Sequence, residues 1–309
     1  MHTESPDRFH ALDDDQARAL LVGPNSITWR YASDARLYLV MLYPLLLQVA
    51  HPTVGAGVRD YSDFDRRPWN RLLRTLDYVY LLVYGGERAI AAGRRLRNLH
   101  KGFTGTREDG RRYYALEPGA YAWVHATLLH SYVGGHRQFG RPMGPDQVER
   151  FYREYSSLGQ LIGVRPGELP GTWREFETYF EDTSQTVLEP NQTLHRVLRS
   201  VQMSPPPLPL PTILWDAVRV PARRALWLGG VGLLAPELRR RLEIPWSDAD
   251  QRALDRLGRL SRALTPVLPA RLRIMGPGSL RVRQRAIARG PLGQSSGDRR
   301  ALAGAERAA

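Results

Sequence analysis

Residues 71–84 read RLLRTLDYVYLLVY, and this stretch restricts the fold more than any other. Arg71, Arg74, Thr75 and Tyr78 recur at i, i+3, i+4 and i+7, the spacing of one stripe along an α-helix. Leu72, Leu73, Leu76, Val79 and Tyr80 cover most of the remaining surface. A helix on the outside of a protein has one apolar face and one wet face. Here the polar stripe is narrow and the apolar part broad. Neighbouring helices must therefore cover this one on several sides, and Arg71 and Thr75 should face a polar pocket rather than bulk water, with Asp77 off the stripe.

The rest of the chain agrees with an all-α fold. Helical periodicity is common, and no alternating β-branched run is bounded by hairpin turns. Short or long helices are expected over 13–22, entered through the acidic DDD, and over 35–50, capped by Ser33 or Asp34 and ended before His51-Pro52. Pro68 suits the first turn of the helix that carries the arginines. ERAIAAGRRLRNLHK follows and stops at Gly102, FTGTREDGRR reads as a loop, and GAYAWVHATLLHSYV begins after Glu117-Pro118 and closes at Gly134-Gly135. DQVERFYREYSSLGQLIGV and TWREFETYFEDTSQTV complete the first part. The Pro-rich MSPPPLPLPT over 203–212 marks a linker. It divides a helical domain over 1–202 from smaller C-terminal helices over 213–275, followed over 276–309 by a basic tail of the composition expected for disorder.

Composition matters in three places. The formal net charge is +13 in 309 residues, and Lys101 is the sole lysine. A basic chain suits nucleic acid or an anionic membrane surface, but the arginines are dispersed and no nucleic-acid motif accompanies them, so nucleic acid is excluded as a partner. Cysteine is absent, which rules out disulfides, thiolate metal sites, iron–sulfur clusters and cysteine nucleophiles. The N-terminal MHTESPDRFHALDDDQARALL is polar and acidic, unlike an export signal. The longest apolar run, LYLVMLYPLLLQVA over 37–50, is too short to span a bilayer. These features lead us to expect a cytoplasmic protein, with peripheral membrane contact kept as a partner.

No Walker loop, GxSxG, HExxH or dinucleotide fingerprint occurs. What remains for chemistry is histidine on apolar helices together with the arginines. His100 ends the 87–101 helix, either as a solvent-side imidazole favoured by the helix dipole or as one reaching into an apolar pocket to ligate haem iron. His125, in AWVHATLL, is either a hydrogen-bonded core residue or a ligand. His51 can cap the carbonyls of the preceding helix or line a cavity. Arg71 and Arg74 can pair with local acids, Asp77 being i+3 from Arg74. A buried arginine, however, needs an anionic or hydrogen-bonding partner because it cannot shed its charge.

The runs LLLQVAHPTVGAGVRDYSDF, RRPWNRLLRTLDYVYLLVYG, RRLRNLHKGFTGT and YAWVHATLLHSYV resemble the oxygenase family of the latex clearing proteins and the fungal mycophenolic acid side-chain oxygenase. The resemblance reaches from about residue 26 to 185. It implies a globin-like helical core holding one haem b, and an oxygenase acting with dioxygen on a hydrophobic, unsaturated small molecule such as a terpenoid or lipid. It places the axial iron ligand on His100, with His125 as the competing position, and the distal pair on Arg71 and Thr75. Where the rubber enzymes carry a distal lysine this chain has Arg74, a poor iron ligand, so a closed, lysine-capped state is not expected. The rival reading is a non-catalytic helical protein that binds lipid or a membrane surface through RRALWLGGVGLLAPELRRR, residues 223–241. That same stretch also reads as a core helix with snorkelling arginines.

Overall fold

Helices begin where the sequence supplies a cap. In a computed structural model, which describes residues 12–64, 68–203, 212–269 and 273–274, α1 (Asp14–Ala19) starts from a capping box between Asp13 and Gln16. Ser26 caps α2 (Ile27–Ala32). Asp34 accepts from the Arg36 amide to open a 3-10 segment, Ala35–Val40, so the expected 35–50 helix divides into this segment and α3 (Leu42–Ala50). His51-Pro52 then turns the chain into α4 (Pro52–Tyr61).

The arginine helix is α5 (Pro68–Tyr84), and α6 (Glu87–Lys101) follows after Gly86, whose φ of 55° suits glycine. The segment read as a loop contains a small antiparallel hairpin, β1 (Thr104–Thr106) with β2 (Arg112–Tyr114). Its register is pinned from outside: Tyr113 Oη donates to Asp60 at 2.8 Å. Periodicity over three-residue strands is too short to read in advance.

α7 (Pro118–Phe139) is the central helix. Trp123, His125, Ala126, Leu129 and Phe139 are fully buried along it, and α3, α4, α8 (Pro145–Ile162) and the 3-10 segment pack around it. It runs five residues past Gly134 instead of ending there. The two glycines serve close packing: a Cβ on Gly134 would lie 3.1 Å from Leu233, and one on Gly135 3.0 Å from Val40. α9 (Trp173–Thr186) opens from a Thr172–Glu175 capping box and lays Phe176 and Phe180 against the core. α10 (Gln192–Met203) is capped by Asn191, whose Oδ1 accepts from the Leu194 amide and whose Nδ2 donates to Val49 O.

Of the Pro-rich stretch over 203–212, residues 204–211 lie outside the described residues, as does the tail over 276–309. The helices between them pack directly on the first part. α11 (Thr212–Gly232) crosses the 3-10 segment and α3 through Gly229 and Gly230, where a Cβ would meet Leu39 O at 2.1 Å and Leu42 at 2.5 Å. α12 (Pro236–Arg241) and α13 (Asp248–Leu264) follow. The stretch 223–241 is core in its centre: Leu228, Val231 and Leu234 are 4%, 0% and 2% exposed. Arg239 lies over Trp246 and donates to Val231 O and Gly232 O, so it closes the carbonyl end of α11. Each fully buried leucine in this shared core, such as Leu46, Leu47 and Leu129, contributes about 1.5–3 kcal/mol.

No single helix among the described residues is long and apolar enough to cross a membrane. The segment 35–50 with α4 would pass that test only as a pair bent by 102°, and most of its apolar residues are buried in the protein.

Candidate functional site

The polar stripe of α5 is turned inward and tied down. Arg71 donates from Nε to Ser62 Oγ at 3.2 Å and from Nη1 to Thr75 Oγ1. The Thr75 hydroxyl in turn donates to Arg71 O at 3.0 Å. Thr75 thus spends its proton on the backbone and its lone pair on the guanidinium, and its role here is to orient Arg71. Arg74 pairs with Asp63 at 3.3 Å, both side chains about three-quarters buried. Asp63, from the turn after α4, is a partner that the spacing within α5 did not offer.

His100 occupies the facing element. Its Nδ1 lies 2.8 Å from Leu96 O. A carbonyl can only accept, so Nδ1 carries the proton and Nε2 keeps its lone pair. Nε2 makes no hydrogen bond among the described residues. Burial lowers the His100 pKa and the nearby Arg71 charge adds to this, while the Leu96 bond opposes it; the imidazole is neutral at pH 7. Phe103 and Tyr121 meet its ring edge-on at 5.2 and 5.8 Å. Tyr121 Oη is anchored on Ile162 O at 2.9 Å, and burial raises its pKa.

The last turn of α4 joins the two walls. Tyr61 stacks on Phe103 at 4.0 Å and donates to Thr104 O at 2.8 Å, while Ser62 and Asp63 hold the arginines. These connections are not periodic, so nothing in the sequence of YSDF announces them.

The other two candidate histidines lie apart from this group. His125 is fully buried between α7 and α8. Its Nε2–H donates to Tyr155 O at 2.8 Å and its ring stacks on Tyr155 at 4.9 Å. Gly159 makes the room, since a Cβ there would stand 2.8 Å from the imidazole. Burial lowers the His125 pKa to about 4, and its Nδ1 is buried without a hydrogen-bond partner. His51 is the N-cap of α4, about 15 Å of helix from Ser62. Burial, helped by the Arg107 charge, lowers its pKa to about 4.

Among the described residues no group of three His, Asp or Glu side chains could hold a metal ion. One neutral imidazole with an open Nε2, locked by a backbone carbonyl and walled by aromatic rings, fits the single protein ligand that a haem requires.

An all-α fold in which an arginine–threonine pair stands near a half-buried, carbonyl-locked histidine outlines the candidate site. The chain belongs to the family of ER-bound oxygenase mpaB/B′ and rubber oxygenase catalytic domains, whose model matches residues 29–263. It is therefore an oxygenase, an enzyme acting with dioxygen on a small molecule. The match runs beyond residue 185, where the resemblance in sequence ended, and includes α11 and most of α13. An uncharacterized protein of Mycobacterium bovis, Mb2261, and one of Mycobacterium tuberculosis, Rv2237, are each 28% identical over 240 residues, covering 75% of this chain and 91% of each relative. No solved structure gives a significant match.

Proposed function

We propose that the enzyme is a haem b oxygenase whose axial ligand is His100 and whose substrate is a small hydrophobic, unsaturated molecule. The observation that carries this is the His100 imidazole, whose Nδ1–H is committed to Leu96 O while Nε2 has no partner. A backbone bond at Nδ1 fixes the tautomer and the ring plane and makes Nε2 a better donor to iron. His125 would have to give up its bond to Tyr155 O to offer the same nitrogen, which favours His100.

Bound haem would supply the iron at which dioxygen reacts. The chain's own residues do the rest. Arg71, held by Ser62 and Thr75, sets a fixed cation beside the site, where a preorganised charge is worth most to a polarised oxygen atom in a dry environment. Thr75 keeps that guanidinium in place. Arg74, neutralised by Asp63, adds a second cation without adding net charge. Tyr121 and Phe103 present aromatic surface to the imidazole and suit an alkene better than a charged substrate.

The test is spectroscopic. Protein purified and reconstituted with haem should show a Soret band that shifts with dithionite and carbon monoxide. His100→Gly should lose it and recover it when free imidazole is added, whereas His125→Gln should keep it. Absence of any haem spectrum after reconstitution of the parent protein would reject the proposal; loss with His125→Gln alone would move the ligand to that position.

A further inference from the structure

α13 runs on past the helix it packs against. Its inner face, Leu254, Leu257 and Gly258, lies against α7 and α11. Ser261 then donates to Phe139 O at 2.9 Å and Arg262 donates to Gln138 O, the last carbonyls of α7. From there the apolar stripe continues with nothing described beneath it. Leu260, Leu264, Val267 and Leu268, spaced i, i+4, i+7 and i+8, are 55%, 44%, 74% and 37% exposed. Ile274, 55% exposed, joins them at this end: it pairs with Asp34, beside Arg36, which donates to Thr265 at 2.6 Å.

The charges around the stripe are basic. Elsewhere several arginines are matched by acids, as in Arg94–Asp14, Arg59–Asp60, Arg150–Glu154 and Arg224–Asp250. Arg137 and Arg141 at the end of α7, and Arg256 and Arg259 on α13, are exposed and form no ion pair among the described residues. The chain beyond residue 274 carries seven arginines against one aspartate and one glutamate. That composition adds to the attraction of the whole chain for anions. A second copy would oppose arginine to arginine across a two-fold axis.

We propose that this end of the molecule docks on an anionic lipid surface, with Leu264, Val267 and Leu268 entering the headgroup boundary and the unpaired arginines lying against the phosphates. Exposed leucine and valine on a helix end bordered by uncompensated cations is the composition that interfacial binding requires. The sequence had offered 223–241 for such a contact; the fold buries the apolar centre of that stretch, Leu228, Val231 and Leu234, and leaves these apolar residues exposed instead. The inference does not rest on haem or on His100.

The test uses the full-length chain and sedimentation with vesicles of phosphatidylcholine, alone or mixed with phosphatidylglycerol. The parent protein should bind the anionic vesicles, weakly at high salt, and ignore the neutral ones. Leu264→Glu with Val267→Glu, and separately Arg256→Glu with Arg259→Glu, should each weaken binding at least about tenfold while leaving the far-ultraviolet spectrum and melting temperature unchanged. All four positions are exposed, so either pair serves if the other misfolds. Lack of binding by the parent, or full binding by both variants, overturns the proposal. A parent dimer that becomes monomeric in Leu264→Glu/Val267→Glu and never binds vesicles assigns the surface to a second copy instead.

Discussion

Acid should unfold this protein well above the pH at which its carboxylates titrate. His125 and His51 are held near pKa 4 and His130 near 3, in each case chiefly by burial. His130 is stacked on Phe180 at 3.9 Å and bonded to Tyr43 Oη at 2.9 Å. A histidine whose folded pKa lies below the unfolded value of 6.5 binds fewer protons when folded, so its stabilising effect is complete above pH 6.5 and is lost as pH falls towards the folded value. At pH 5 each of the three has lost about 2 kcal/mol, or about 6 kcal/mol together, against about 5–15 kcal/mol for the whole fold. Near that pH each contributes a slope of about 1.2 kcal/mol per pH unit. The lowered carboxyls of Asp34 and Asp60 act in the same direction, but only below about pH 4, so the two effects separate on the pH axis. Urea titrations at pH 7, 6 and 5 measure the slope. His130→Gln should flatten it by about one histidine's share while costing about 1–2 kcal/mol at pH 7 through the lost Tyr43 bond and ring stacking. Stability that stays level between pH 7 and 5, or a slope untouched by His130→Gln, would refute the argument that these imidazoles are buried neutral.

Gly93→Ala should cost about 1–3 kcal/mol or more, because the new methyl would lie 2.1 Å from Leu161 O where α6 crosses α8; a melting temperature equal to the parent's would show that the crossing is looser than described. Asp63→Asn removes the acid paired with Arg74. Under the proposed haem assignment it should slow substrate turnover while leaving haem content unchanged, which absorbance per mole of protein and oxygen consumption can separate; loss of haem instead would mean that Asp63 shapes the whole pocket.

The sequence by itself determined the fold class, through helical period and local signals such as Pro68 at a helix start and the stop at Gly102, and the family, through the resemblance of four separate runs. The i, i+3, i+4, i+7 spacing from Arg71 to Tyr78 also set which residues of α5 share one face. Local period and local caps are read directly from the chain because they depend on neighbours within one or two turns. Gly134-Gly135 misled for the same reason. A glycine pair signals a helix end locally, whereas here it admits Leu233 and Val40 from elements far away in sequence. Only the tertiary structure decided which side chains meet. Ser62 and Asp63 reach the arginines across a turn, Leu96 O fixes the His100 tautomer, and His125 spends its Nε2 on Tyr155 O. His100 and His125 both sit on helices with apolar residues around them, and nothing in their spacing ranks one above the other. What separates them is which ring nitrogen a backbone carbonyl already holds, and that follows from how α6, α7 and α8 cross.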